Sequence, residues 1–301
     1  MSRVTDSAGQ PALLVILEPV IARTRIHRTE TELGSSTRAV RVPDPGLRPL
    51  LYRDLYGFDL RRAGFSSWLE PPRPAVTLMI DLNGSISASG ERLPSAWVGG
   101  LGERPTVVGL GGGEYASVDI ELTPLGAYTI LGRPLAELEG ECVALEDAFG
   151  PVGRELADQL RAQRDWDARF DVLERFLLGR VAVGPEPTPA VAWADRLLRE
   201  AGGNVRIGAL AAELGCSRRY LTARFSAEVG LAPKAVARQL RFARVRERLE
   251  RDPAGIAEIA AAAGYYDQAH LNRDFRELAG VTPTELVARL IPGGGVLGDG
   301  L

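Results

Sequence analysis

The chain has 301 residues, 45% of them hydrophobic and 25% charged, with a formal net charge of −3. That length accommodates about two domains of ordinary globular composition, and no run of roughly 18 apolar residues is present to span a bilayer. Cys142 and Cys216 lie far apart without a C-x-x-C pair, and His27 and His270 are the only histidines. A disulfide framework, thiolate zinc sites and poly-histidine metal centres are therefore disfavoured, and the expectation is a cytoplasmic protein without metal or cofactor.

Residues 1–11 are polar and expected to be disordered. The apolar stretch 12–17 is short, follows Arg3 and Asp6, and lacks the layout of a secretory signal. From 12 to 122 the chain reads as short strands separated by Gly and Pro turns, among them 75–81, 106–110 and 115–122. In the last of these Ala116, Val118, Ile120 and Leu122 alternate on one face, which leaves Ser117, Asp119 and Glu121 on a polar face expected to meet solvent. Asn83-Gly84 is expected to turn a hairpin. Such punctuation predicts a β-barrel or sandwich, with Trp68, Trp97, Tyr115 and Phe65 as core and a ligand-lining role as the alternative. The G-L-G-G-G run at 109–113 lacks the Lys-Ser/Thr of a phosphate loop and is expected to be a turn between strands.

Helical spacing takes over after Pro124. Leu156, Leu160, Phe170, Leu173, Phe176 and Leu177 recur at three- and four-residue intervals, which predicts one or two amphipathic helices within 152–179. Their apolar stripe could serve a homodimer surface or pack on the β domain. Three prolines in 184–189 stop any helix and stiffen the chain, so the expected organisation is a β-rich domain at 12–180, a linker at 181–189 and a helical domain at 190–291. The Gly-rich end from Pro292 is expected to be a mobile tail. Charge follows this division. Residues 190–290 hold 16 Lys+Arg against 12 Asp+Glu, a net +4, whereas the remainder holds 20 against 27, a net −7. Within 217–251 the count is 10 against 3, so a near-neutral total hides one basic block.

The helical third contains an internal repeat. Ile207, Leu210, Gly215, Leu221, Phe225, Gly230 and Pro233 align with Ile256, Ile259, Gly264, Leu271, Phe275, Gly280 and Pro283, at an offset of 49 residues before the glycine turn and 50 after it. Each unit reads as a short helix, a turn at glycine and a second helix, as in a helix-turn-helix. Ser217 and Asp267 are placed to cap the second helices, at about 217–229 and 267–279. With Leu221 and Phe225, or Leu271 and Phe275, turned to the core, the outward positions are Arg218, Arg219, Thr222 and Ala223 in one helix. In the other they are Gln268, His270, Asn272 and Arg273. Arginine suits guanine, and Gln or Asn suits adenine. Thr282-Pro283-Thr284-Glu285 reads as a capping box with proline at the first helical position, opening a last helix. Between the units, 233 to about 251 reads as one helix of roughly 28 Å, with Ala237, Leu240, Val245 and Leu249 inward and Arg238, Arg241, Arg244, Arg246 and Arg248 outward. That span is close to one turn of DNA, so two recognition helices could enter successive major grooves on one side of a duplex.

The segments I-G-A-L-A-A-E-L-G-C-S-R-R-Y-L-T-A-R-F and Y-Y-D-Q-A-H-L-N-R-D-F-R-E-L-A-G-V-T-P-T-E-L resemble the first and second helix-turn-helix signatures of AraC/XylS-type transcriptional regulators, over about 100 residues from 191 to 290. The resemblance implies an all-α double helix-turn-helix DNA-binding domain with base contacts at Arg219, Thr222, Ala223, Gln268, Ala269, His270 and Arg273. Ser217, Arg218, Arg224 and Asn272 complete the expected DNA-facing set. Ala223 and Ala269 depart from the role by offering only an apolar contact, and Ala232 stands where the family tends to place a capping Ser or Thr. The phrase T-P-L-G-A-Y-T-I-L-G-R-P-L-A-E-L-E-G is similar to the amino-terminal domain of a subset of these regulators, implying a β-rich, cupin-like sensing or dimerisation domain and an α+β chain overall. The implied partners are double-stranded DNA, a small-molecule effector bound at unidentified residues, RNA polymerase if the protein activates, and a second copy of the chain, but no membrane. Two other classes stay open. A DNA-repair alkyl-acceptor enzyme also uses the double unit but needs a cysteine set that Cys142 and Cys216 do not supply, and a protein-interaction scaffold could use the acidic N-terminal part.

Overall fold

The computed structural model describes residues 16–17, 23–31, 34–62, 66–110, 113–251, 255–289 and 296. The expectations for residues 1–11, for Phe65 and for the centre of the 109–113 glycine run lie outside these residues. The chain is β-rich first and helical afterwards. In order it forms β1 (Ile16–Leu17), β2 (Thr24–Thr31), β3 (Gly34–Arg41), β4 (Leu55–Arg62), β5 (Ser66–Glu70), β6 (Val76–Asn83), β7 (Ile86–Ala88), β8 (Glu91–Arg92), β9 (Ala96–Gly99), β10 (Thr106–Leu110) and β11 (Gly113–Leu122). Then come α1 (Pro124–Leu131), β12 (Cys142–Ala144), α2 (Leu145–Phe149), α3 (Pro151–Ala162) and α4 (Trp166–Val183). One antiparallel sheet has the order β1-β2-β3-β4-β11-β6-β9-β12, and a smaller one the order β5-β10-β7-β8.

The alternation in β11 is real. Val118, Ile120 and Leu122 are fully buried and pack with Leu156 and Leu160 of α3 and Phe170, Leu173 and Leu177 of α4. The apolar stripe of the two amphipathic helices is therefore used within the chain, against the large sheet. Approach is closest at Gly57 of β4, where an added Cβ would fall 2.3 Å from the Trp166 ring. Arg41, buried in β3, fastens the same face by pairing with Asp167 and Asp171 of α4.

The opposite face of β11 departs from expectation. Tyr115, Ser117 and Glu121 are buried rather than solvated, and Asp119 is half-buried; the smaller sheet packs on this face at its Tyr115 end. Ile86 and Leu110 of the smaller sheet pack against Tyr115, Phe58, Leu60 and Met79 of the larger, with Trp68 at the margin. Glu121 is neutralised there by Arg53 at 3.0 Å and by Arg73. Burial, partly offset by the Tyr115 hydroxyl and reinforced by Asp119, pushes the Asp81 carboxyl up to about 6. Burial likewise raises Asp119 to about 6, with Arg53 opposing it.

Asn83-Gly84 does not close a hairpin. Gly84 adopts φ +81°, but β6 pairs with β11 and β9, while the chain crosses to the smaller sheet, where β7 pairs with β10 and β8. Glycine is required at the crossing because an added Cβ would meet the Glu114 carbonyl at 2.7 Å. The tight turn lies further on, at Ser89-Gly90, with φ +49° and +87°. Of the Gly-rich end only Val296 is described. It is buried and forms an antiparallel bridge with Leu69 of β5, contrary to a wholly mobile tail.

Candidate nucleic-acid interface

The helices α5 (Pro189–Glu200), α6 (Ile207–Glu213), α7 (Arg218–Val229), α8 (Pro233–Arg251), α9 (Ile256–Ala262), α10 (Gln268–Ala279) and α11 (Pro283–Arg289) follow the segment 184–188. Local chemistry accounts for their ends. Gly215 and Gly264 end the leading helices at φ +63° and +83°, a conformation costing about 1–2 kcal/mol for a residue with a Cβ. The Ser217 hydroxyl oxygen accepts the Tyr220 N–H at 3.1 Å, and the Asp267 carboxylate accepts the His270 N–H at 2.7 Å. Each cap contributes about 1 kcal/mol. The Thr282 N–H donates to Glu285 Oε2 at 2.7 Å, and the Glu285 N–H returns to the Thr282 hydroxyl at 3.4 Å, forming the expected capping box. The second turn is one residue longer than the first, and the additional length shows in the pair Tyr265-Tyr266: Tyr265 is buried, whereas Tyr266 is 93% exposed.

Packing fixes which face of each second helix is free. Leu221 and Phe225 of α7, and Leu271 and Phe275 of α10, are fully buried. The 19-residue α8 enters both cores, with Val236 and Ala237 in the first and Phe242, Val245 and Leu249 in the second. The Phe242 and Phe275 ring centroids are 4.7 Å apart. The Arg238 Nε donates to Asp274 Oδ1 at 2.8 Å, and the same guanidinium pairs with Glu277, so α10 is tied to α8 by charge as well as by apolar contact. Arg241 donates to the Gly203 carbonyl at 2.9 Å and Arg246 pairs with Glu250 at 3.3 Å. Arg238 and Arg241 therefore tie α8 to its neighbours, Arg246 pairs within α8, and Arg244 and Arg248 are exposed.

The first unit also rests on the β-rich part. The buried Glu228 carboxylate of α7 accepts the Thr188 N–H at 2.8 Å and the Thr188 hydroxyl. Gln239 of α8 donates to the Gly102 carbonyl at 2.7 Å. One apolar core runs from β11 and α4 into Leu221, Phe225 and Val236, while the second unit has its own core, joined by Leu69 and Val296.

What remains outward is the opening of each second helix. Arg218 and Arg219 are exposed and without an ion pair among the described residues, and the first turn of α7 contains no acidic residue. Two cations at a helix N-terminus oppose the macrodipole, so this end is electrostatically incomplete until an anion approaches. Thr222 is half-buried and Ala223 exposed. Arg224, though exposed, donates to the Thr188 hydroxyl at 2.9 Å and pairs with Glu228 at 3.3 Å, which draws it toward the segment 184–188. On α10, Gln268, Ala269 and Arg273 are exposed and Asn272 is half-buried. Ala269, Asn272 and Arg273 line an open depression together with Arg276 and Glu277. His270 leans back along the helix, its Nε2 3.9 Å from Asp274 Oδ2 and its ring edge-on to Tyr265 at 5.0 Å between centroids.

Three exposed side chains were missed from sequence: Tyr220, Tyr266 and Arg276. Tyr220 belongs to the outer face because Ala223 and Arg224, three and four residues on, face outward too. Arg276 stands one turn beyond Arg273, a spacing that could have identified it.

Residues 210–289 match a family model described as a helix-turn-helix domain. A curated HTH-type transcriptional regulator of Mycobacterium tuberculosis is 35% identical over 85 residues, which cover 28% of this chain and 33% of that protein. The chain thus spans about a third of the length of the curated relative it matches. Among solved structures, ToxT from Vibrio cholerae is 11% identical with a TM-score of 0.46, over 78% of this chain and 98% of its own. The C-terminal domain of AraT, a response regulator from Geobacillus stearothermophilus, is 23% identical with a TM-score of 0.33, over 36% of this chain and 93% of its own.

Proposed function

We propose that this chain, whose C-terminal third is a helix-turn-helix domain of the AraC type, is a sequence-specific DNA-binding transcriptional regulator that inserts α7 and α10 into successive major grooves and is modulated by a small molecule held in its β-rich part. The observation that carries this function is the pair of capped helices whose inner faces are locked on a shared strut while Arg218, Arg219, Gln268 and Arg273 stay outward. Arg219 and Arg273 would read base edges; Arg218 and the exposed arginines of α8 would meet phosphates. Ser217 and Asn272 would contact the duplex at the groove margin, and Ala223 and Ala269 would touch thymine methyl groups. Arg224 and His270 would contribute after releasing their present partners. The chain would have no catalytic step of its own, and as an activator it would also meet RNA polymerase.

A salt titration of duplex binding tests this. Neutralising about 8 phosphates gives a log–log slope of affinity against salt near −7. A slope close to zero, or binding no tighter to a selected site than to random duplex, would remove DNA reading from the chain.

A further inference from the structure

The face of the large sheet that meets the smaller sheet carries two acids, Asp81 buried and Asp119 half-buried, that no cation pairs with among the described residues. Strand register places them together. Ser117 of β11 lies opposite Asp81 of β6 and Phe58 of β4; one pair along, Asp119 lies opposite Met79 and Tyr56, with Trp97 of β9 beside Met79. The third acid of the row, Glu121, has two arginines on it. Asp81 and Asp119 have no ion pair among the described residues: the guanidinium of Arg161 is engaged on the Asp81 and Ser95 carbonyls and that of Arg53 on Glu121. Among the described residues the Asp81 carboxylate receives only the Tyr115 hydroxyl, at 3.0 Å.

Three polar atoms on this face are left open among the described residues. Trp97, 8% exposed, has a buried Nε1 without an acceptor, and Ser117 Oγ and Asp119 Oδ1 have no hydrogen-bond partner among the described residues. Leaving such groups unpartnered inside a protein is unfavourable, and two like-charged carboxylates make it more so. What the two carboxylates lack is a cationic donor. A metal ion fits poorly, since no group of three metal-ligating side chains occurs among the described residues. The surrounding Tyr56, Phe58, Met79 and Trp97 provide apolar and aromatic surface instead.

Resting on the ligand-responsive reading above, we infer that this face of the large sheet binds a small organic cation, a primary ammonium, amidinium or guanidinium group on an apolar body, with the charge on Asp119 and Asp81 and the body against the aromatic side chains.

The test is calorimetric titration of the full chain, without DNA, with four cations (2-phenylethylamine, benzamidine, agmatine and spermidine) and with 2-phenylethanol and 3-phenylpropionate as neutral and anionic counterparts. At least one cation is expected to bind at one site, about tenfold or more tighter than either counterpart. Asp119→Asn and Asp81→Asn are each expected to weaken it by about 10- to 100-fold. Both variants should melt higher than the parent without ligand, since each removes an uncompensated buried charge, so lost binding cannot be mistaken for lost folding. No cation saturating below about 5 mM, equal binding of the neutral counterpart, or unchanged binding in both variants would overturn the inference. Retained operator binding alongside that failure leaves the regulator proposal standing; cation binding that leaves operator affinity unchanged would instead refute ligand modulation.

Discussion

Phe275→Ala is expected to destabilise the second helix-turn-helix unit by about 3–5 kcal/mol, the usual range for emptying a buried aromatic site. Phe275 is fully buried and stacks obliquely on Phe242 in a core that α8, α9, α10 and α11 share. That core is separate from the one joining the β-rich part to the first unit, so the damage should stay local. Hydrogen exchange by mass spectrometry is expected to show lost protection over 256–289 with 76–183 still protected, and duplex affinity should fall to that of a single unit. Loss of protection throughout the chain would mean the two cores are one cooperative block, and a cost below about 1 kcal/mol would mean that Phe275 is not a keystone of its unit.

The combined substitution Arg219→Ala with Arg273→Ala should give the largest effect on recognition. Each arginine read bidentately by a base contributes about 1–3 kcal/mol. They lie on different helices, α7 and α10, and share no partner, so their losses should add to about 2–6 kcal/mol on a selected site. On random duplex the loss should be small, so the ratio of specific to non-specific affinity collapses. A gel-shift series against both duplexes reads this ratio directly. Equal loss on the two would reassign both residues to phosphate contact.

The repeat was legible because its information is local. Glycine at 215 and 264, the caps at 217 and 267, and the capping box at 282–285 each depend on residues within a turn, and the structure forms all of them. The burial of Leu221, Phe225, Leu271 and Phe275 follows from four-residue spacing alone. What escaped was every feature set by a partner distant in sequence. Asp119, Ser117 and Glu121 looked solvated because an alternating strand normally has one wet face, but a second sheet packs on that face at Tyr115 and two arginines close on Glu121, and no local pattern encodes either. Asn83-Gly84 had hairpin chemistry, yet β6 pairs with β9 and β11, both further along the chain than the strand that follows the turn. Arg238 and Arg224 read as surface cations like their neighbours; only tertiary packing brings Asp274 to one and Thr188 to the other.

The central claim is that two modules held by α8 read one side of a duplex. Hydroxyl-radical footprinting of the full chain on a selected operator tests it most directly. Two protected patches are expected on one face, about 10 base pairs apart, with Arg219→Ala erasing one and Arg273→Ala the other. A single patch, patches on opposite faces, or a footprint that survives both substitutions would contradict it.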